Sequence, residues 1–246
     1  GEFRVMACID DLKVKIFADG ADLKHIKALR DNPIIKGFTT NPTLMRAVGI
    51  SDYERFSKDV IEIVDGAPLS LEVFADEFDE MESQARAIAS WGANVFVKIP
   101  VTNTKGENSA ALIKRLANHG VQVNVTAVFT LKQVQEICDA LSPDVAANVS
   151  VFAGRVADTG IDPVPHMRDA VEIVSALPKT EVIWASPREL LNLFHADEAG
   201  CQIITVTQDI LKKLPVIGKS LTDYSIETVK MFYDDAQSAG YSINSN

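Results

Sequence analysis

Several polar side chains in this 246-residue chain stand where strand-like apolar runs leave no room for them. Lys98 sits inside Val95–Val101, a β-branched and aromatic run that reads as a buried strand. A buried ammonium costs several kcal/mol, about 3–5, unless it is paired or gives up its proton. A lysine driven toward its neutral amine is a nucleophile for carbonyl carbon. The bland alternative is a lysine whose head snorkels to solvent from a strand end. Asp19 closes an earlier apolar run, and Glu72 lies in another. Asn124 and Thr126 are two apart in one run and therefore face the same way, as do Ser70 and Glu72.

An amine that attacks a ketone needs its own proton removed and a carbinolamine hydroxyl protonated so that water can leave. Carbon–carbon cleavage then needs a base for the substrate hydroxyl. Two carboxylates, Asp19 and Glu72, can divide those tasks, with Thr126 holding a water between Glu72 and the imine. Thr39, Asn41, Asn124 and Ser150 are uncharged donors and acceptors suited to substrate hydroxyls. Arg155 and Arg188, with Ser186, have the makings of a phosphate clamp. Each has a plainer alternative. The arginines could form surface ion pairs. Asp19 could cap a helix starting near Ala21. Thr39-Thr40-Asn41 could be a turn before Pro42, a residue suited to a first helical position.

These groups need a frame. Eight runs read as strands: Val14–Ala18, Ile34–Phe38, Leu69–Val73, Val95–Ile99, Val121–Ala127, Val145–Val151, Glu181–Ala185 and Ile203–Val206. Between them amphipathic stretches predict helices over Leu23–Arg30, Tyr53–Val64, Phe78–Ser90, Ser109–Asn118, Leu131–Leu141, Pro165–Ala176, Arg188–Leu193 and Thr207–Leu214. Leu112, Leu116 and His119 follow one helical face, as do Val134, Ile137 and Leu141. A last helix is expected over Ile226–Ala239. Its apolar positions Ile226, Val229, Tyr233 and Ala236 suit packing on its own barrel or on a neighbouring subunit.

Eight βα units in a chain of this length predict a single-domain (β/α)8 TIM barrel over residues 1–246, with an N-terminal tail at 1–13 and an extra C-terminal helix and tail at 219–246. An open doubly wound sheet is the alternative. It lacks support because no Gly-x-Gly-x-x-Gly follows the first strand. In a barrel the functional groups belong at the C-terminal ends of strands. The polar residues named above come from there, in seven of the eight strands.

A net charge of −10 and a pI near 4.9 argue against nucleic acid as a partner. No apolar run approaches the roughly 20 residues of a membrane span, and the N-terminal stretch lacks the basic and apolar regions expected of a signal peptide. Cys8, Cys138 and Cys201 are odd in number and widely spaced, which fits a reduced, cytoplasmic protein. Neither they nor the four histidines have metal-ligand spacing, so no metal is expected. Gly1-Glu2-Phe3 reads as part of a vector-derived scar at 1–5 ahead of a native start at Met6. Asn124-Val-Thr126 and Asn148-Val-Ser150 match a glycosylation pattern, but their apolar context predicts burial.

Six motifs in order then resemble the transaldolase family. They are Phe17-Ala-Asp19, Gly37-Phe-Thr-Thr-Asn-Pro-Thr43, Val97-Lys-Ile-Pro-Val-Thr102, Asn124-Val-Thr-Ala-Val-Phe129, Ser150-Val-Phe-Ala-Gly-Arg155 and Ala185-Ser-Pro-Arg188. The resemblance implies a (β/α)8 barrel with no cofactor or metal, in which a lysine Schiff base carries a dihydroxyacetone unit between sugar phosphates. It implies Lys98 as the Schiff-base lysine, Asp19 as the base for aldol cleavage, and Glu72 with Thr126 as the pair that handles the catalytic water. Asn41, Asn124 and Ser150 match substrate-hydroxyl contacts, and Arg155, Ser186 and Arg188 the phosphate site.

The compact length resembles the fructose-6-phosphate aldolase branch, which releases free dihydroxyacetone. Two positions point the other way, because that branch carries Gln where this chain has Glu72 and Tyr where it has Phe152. A tyrosine hydroxyl near the imine would assist its hydrolysis, and Phe152 offers no donor. The expected activity is therefore transfer: sedoheptulose 7-phosphate plus glyceraldehyde 3-phosphate giving erythrose 4-phosphate plus fructose 6-phosphate. The rivals are the aldolase and a non-catalytic sugar-phosphate binder. Compact relatives that form rings through their last helix imply a homo-oligomer.

Overall fold

The computed structural model describes residues 8–245; the expected scar at 1–5 and start at Met6 lie outside the described residues. The chain runs β1 (Lys15–Asp19), α1 (Leu23–Arg30), β2 (Ile35–Thr39), α2 (Pro42–Ala47), α3 (Tyr53–Val64), β3 (Leu69–Glu72), α4 (Phe78–Ala89) and β4 (Val95–Pro100). It continues through α5 (Ala110–Asn118), β5 (Val123–Val128), α6 (Leu131–Ala140), β6 (Ala147–Val151), α7 (Ala153–Asp158), α8 (Pro163–Val174) and β7 (Thr180–Trp184). It ends with α9 (Leu191–Ala199), β8 (Ile203–Val206), α10 (Gln208–Leu211) and α11 (Leu221–Ser238). The eight strands pair in sequence order, every pair parallel, and β1 closes on β8. This is the (β/α)8 barrel that the alternation of patterns predicted.

The chain divides into two compact units. Leu12–Lys212 holds the barrel, and the other is drawn from the two chain ends, including α11. In the barrel, strand residues alternate between an outer face that meets the helices and an inner face that fills the centre. Phe17, Ile183, Ala185 and Ile203 form an inner cluster, with Phe152 packed against it. Phe17 accounts for the glycine at position 37. A Cβ there would lie 2.6 Å from the Phe17 ring, so β2 can pass this aromatic only without a side chain. The layer above is polar, because Asp19 lies two residues beyond Phe17 on the same face and Thr205 two beyond Ile203.

Helix ends follow local chemistry. Asp22 caps α1 by accepting from the amides of Lys24 and His25, so the cap is not Asp19, whose carboxylate stays with the cavity. Leu112 and Leu116 face the core, but His119 does not: it terminates α5, exposed, with its ring on the Arg115 carbonyl. The helix expected from Arg188 begins at Leu191 instead. Asn192 Oδ1 accepts from the amides of Arg188 and Glu189 and turns the chain before the helix starts.

Two short helices, α2 and α7, follow β2 and β6 directly. Each has six residues, too few to show a periodicity. The last barrel segment is shorter than expected as well, with α10 ending at Leu211 and a separate 3-10 turn over Leu214–Val216 around Pro215. Asn124 and Asn148 are buried, which removes both from consideration as glycosylation acceptors. Among the described residues no helix is long and apolar enough to cross a membrane.

Candidate active site

At the C-terminal ends of the strands a cavity of about 710 Å³ opens to solvent. Lys98 rises into it from β4 and is only 8% exposed, so the snorkelling alternative fails. Its Nζ donates to the Thr40 carbonyl at 2.9 Å and lies 3.5 Å from Glu72 Oε1 on β3. In the β3–β4 register Glu72 stands directly beside Lys98, and Asn124 of β5 stands on the other side. Tyr53 fixes the Glu72 main chain from below, its hydroxyl donating to the Glu72 carbonyl at 2.5 Å while its ring meets Phe74 edge-on. Burial pushes the Tyr53 hydroxyl well above its ordinary range, so it remains a donor.

Asp19 approaches from β1. Its Oδ1 accepts from the Thr39 hydroxyl at 3.0 Å, and its Oδ2 lies 3.4 Å from Asn41 Nδ2. The enclosure of Asp19 raises its carboxyl above the usual range, against the opposing pull of Lys98 and the two hydrogen bonds. Glu72 is raised for the same reason, desolvation outweighing the attraction of Lys98, with a smaller push from Asp19. Two carboxylates that hold protons more firmly than in water thus flank one buried amine. Such an arrangement suits the exchange of protons between an amine and its neighbours.

Asn41 does double duty, since its Oδ1 caps α2 through the Leu44 amide. Asn124 is fully buried: Nδ2 donates to Ser70 Oγ at 3.0 Å and Oδ1 accepts from Ser150 Oγ at 2.7 Å. One amide thereby ties β3, β5 and β6 together under the cavity floor. Thr126 and Ser150 line the cavity wall. Just past Thr126 the β5–β6 register shifts and Ala127 takes a left-handed φ of 58°, unusual for a residue with a Cβ. Such a backbone costs roughly 1–3 kcal/mol and is found where a bulge re-aims side chains at a site.

Ser186, with φ 57°, is the second strained residue at the mouth. Its carbonyl explains Gly154, where a Cβ would fall 1.5 Å from that oxygen; only glycine lets α7 approach the loop after β7 so closely. Arg155 of α7 and Arg188 are thereby brought to one side of the mouth. Arg188 already holds a partner absent from the sequence reading. Its Nη2 and Nε grip Asp158 at 2.5 and 3.2 Å, and this contact holds the Asp158 carboxyl below its usual range. Phe152 stacks obliquely on Phe129, ring centroids 5.8 Å apart, and borders the cavity.

Comparison with known proteins points to one family. A family profile described as Transaldolase/Fructose-6-phosphate aldolase matches residues 16–244. The chain belongs to that family. A Streptococcus agalactiae protein named "Probable transaldolase" is 35% identical over 222 residues, covering 90% of this chain and 98% of that one. One of the same name from Dehalococcoides mccartyi is 36% identical over 214 residues, covering 87% and 94%. Among solved structures, thiamine phosphate pyrophosphorylase from Pyrococcus furiosus superposes with a TM-score of 0.56 at 12% identity, covering 84% of this chain and 96% of that one. This last likeness is one of fold alone.

In this transaldolase/aldolase-family barrel, the twelve side chains singled out in the sequence all border one cavity. Neighbours that the sequence reading did not name as site residues include Thr40 through its carbonyl, Tyr53, Asp158, Thr205 and Asp209. Thr205 alone had a legible signal. It interrupts the apolar β8 run two residues from Ile203, and it supplies the polar inward group that strand 8 otherwise lacked.

Proposed function

We propose that the protein is a transaldolase that moves a dihydroxyacetone unit through an imine on Lys98. The observation that carries the proposal is one buried amine, held by the Thr40 carbonyl and Glu72, in a cavity with a second raised carboxyl at Asp19. In this reading Lys98 gives its proton to Glu72 and attacks the C2 carbonyl of sedoheptulose 7-phosphate or fructose 6-phosphate. The carbinolamine hydroxyl leaves as water, with Glu72 returning the proton through a water held by Thr126. Asp19 then takes the proton from the C4 hydroxyl as the C3–C4 bond breaks, and the electron pair moves toward the iminium nitrogen. The aldose phosphate departs and three carbons stay on Lys98. Addition to the aldehyde of glyceraldehyde 3-phosphate or erythrose 4-phosphate reverses these steps.

Asn41, Asn124, Ser150 and Thr39 serve the sugar hydroxyls in this scheme. Arg155, Ser186 and the Arg188 guanidinium serve the phosphate, which must share or displace Asp158. Phe152 brings no hydroxyl to the imine, so hydrolysis is slow and the unit awaits an acceptor. The same reading places the enzyme in the cytoplasm and in the pentose phosphate pathway. It also assigns α11 to contact with a second copy of the chain: Val229, Phe232 and Tyr233 are each 64% exposed, and no residue of α11 is buried.

Fructose 6-phosphate separates transfer from release. With erythrose 4-phosphate present, sedoheptulose 7-phosphate should accumulate; without an acceptor, no steady stream of free dihydroxyacetone should appear. Phe152→Tyr should raise that release by on the order of tenfold. Steady release by the unaltered enzyme would make it an aldolase, and no turnover in either assay would leave only a sugar-phosphate binder.

A further inference from the structure

Asp19 of β1, Thr39 of β2 and Thr205 of β8 border the cavity and set three oxygens in hydrogen-bonded succession. Thr39 Oγ1 lies 3.0 Å from Asp19 Oδ1 and 2.5 Å from Thr205 Oγ1. Both threonines are buried, at 2% and 7% exposure. A hydroxyl owns one proton, and an ionised carboxylate only accepts. When Asp19 is charged, the Thr39 proton is spent on Oδ1, and the 2.5 Å contact can be filled only by the Thr205 proton. The chain of donation then runs from Thr205 to Thr39 to Asp19, each link polarising the next. When Asp19 is protonated, that polarity has no charge to serve. On this inward face, two residues beyond Ile203, a valine of the same shape would leave no polar atom to satisfy. The hydroxyl therefore has a specific use.

We propose that Thr205 is a positioning residue, acting through Thr39 to hold Asp19 turned toward the cavity as a carboxylate ready to accept the substrate proton. The inference rests on the reading of Asp19 as the base of carbon–carbon cleavage. The ionisable groups that face Asp19 are Lys98 from β4 and Glu72 from β3. Thr39 and Asn41 from the end of β2 and Thr205 from β8 are neutral. Asp22 of the loop before α1 is spent on its own helix, and Asp209 of α10 lines the same cavity. Removing a donor that favours only the charged form raises the pH at which Asp19 ionises.

The test compares the unaltered enzyme with Thr205→Val, Thr205→Ala and Thr205→Ser. The acid limb of kcat/KM, with fructose 6-phosphate and erythrose 4-phosphate, should move up by about 0.5–1 pH unit in the valine and alanine variants and return in the serine variant. Titration of 13C-labelled aspartate carboxyls without substrate, the Asp19 signal assigned by its loss in Asp19→Asn, should show the same move. An unmoved Asp19 midpoint overturns the proposal whatever the activity. So does a serine variant that behaves like valine, or a raised KM at an unmoved pH profile, which would make Thr205 a substrate contact. If the midpoint moves but the unaltered protein transfers nothing, the functional reading fails and the positioning role stands.

Discussion

At the scale of single residues, the site is a balance among one amine and two carboxyls. Lys98 cannot fully satisfy Glu72 and Asp19 together, and desolvation exceeds its attraction for each, so both carboxyls are held above their ordinary range. Linkage fixes the consequence. A carboxyl whose pKa rises on folding contributes its stability below the unfolded value, and that contribution is lost as pH rises through the folded value. Above the unfolded value Asp19 therefore weighs against folding. Asp19→Asn removes that weight and leaves the Lys98–Glu72 pair at 3.5 Å intact. Its Tm at pH 7 should exceed that of the unaltered protein by about 2–4 °C, the shift that about 1 kcal/mol produces in a chain of this size. The gap should close as pH falls below the carboxylate range, while transfer activity is lost throughout. A lower Tm at pH 7 would show that Asp19 stabilises the fold.

At the scale of elements, what could be read in the sequence depended on length and burial. The strands were legible because runs such as Val95–Ile99 and Ile203–Val206 are apolar but for one residue each, Lys98 and Thr205, as expected of strands covered on both faces. The longer helices were legible from their period. α2 and α7 were not: six residues carry little periodic signal, and α7 is announced only by Gly154, whose necessity comes from the distant Ser186 carbonyl. The start of α9 was misjudged because one asparagine side chain, Asn192, captures two amides and delays the helix. α11 was legible as a helix but begins at Leu221, where Ser220 caps it through the Asp223 amide. Its exposed apolar residues carry a prediction. Val229→Glu combined with Phe232→Glu should lower the mass seen by sedimentation to that of a smaller assembly. An unchanged mass would exclude α11 from the interface.

At the scale of the whole molecule, barrel topology explains why a site scattered over the sequence could be assembled from it. Parallel strands end on one face, and inward residues alternate, so polar residues at strand ends in an apolar pattern must converge. All of those singled out do converge, although that alone assigns none of them a role. Contacts between segments far apart in sequence stayed hidden. Examples are Thr40 beneath Lys98, Asp158 on Arg188 and Thr205 behind Thr39, each set by loop geometry or barrel closure.

The central claim is that Lys98 forms an imine with the ketose and keeps three carbons after cleavage. Borohydride added during reaction with fructose 6-phosphate, followed by peptide mapping, tests it directly. The account predicts a peptide containing Lys98 that has gained dihydroxyacetone less one oxygen, with no such adduct in Lys98→Met. An adduct that persists in Lys98→Met, or no adduct at all in an active enzyme, would contradict it.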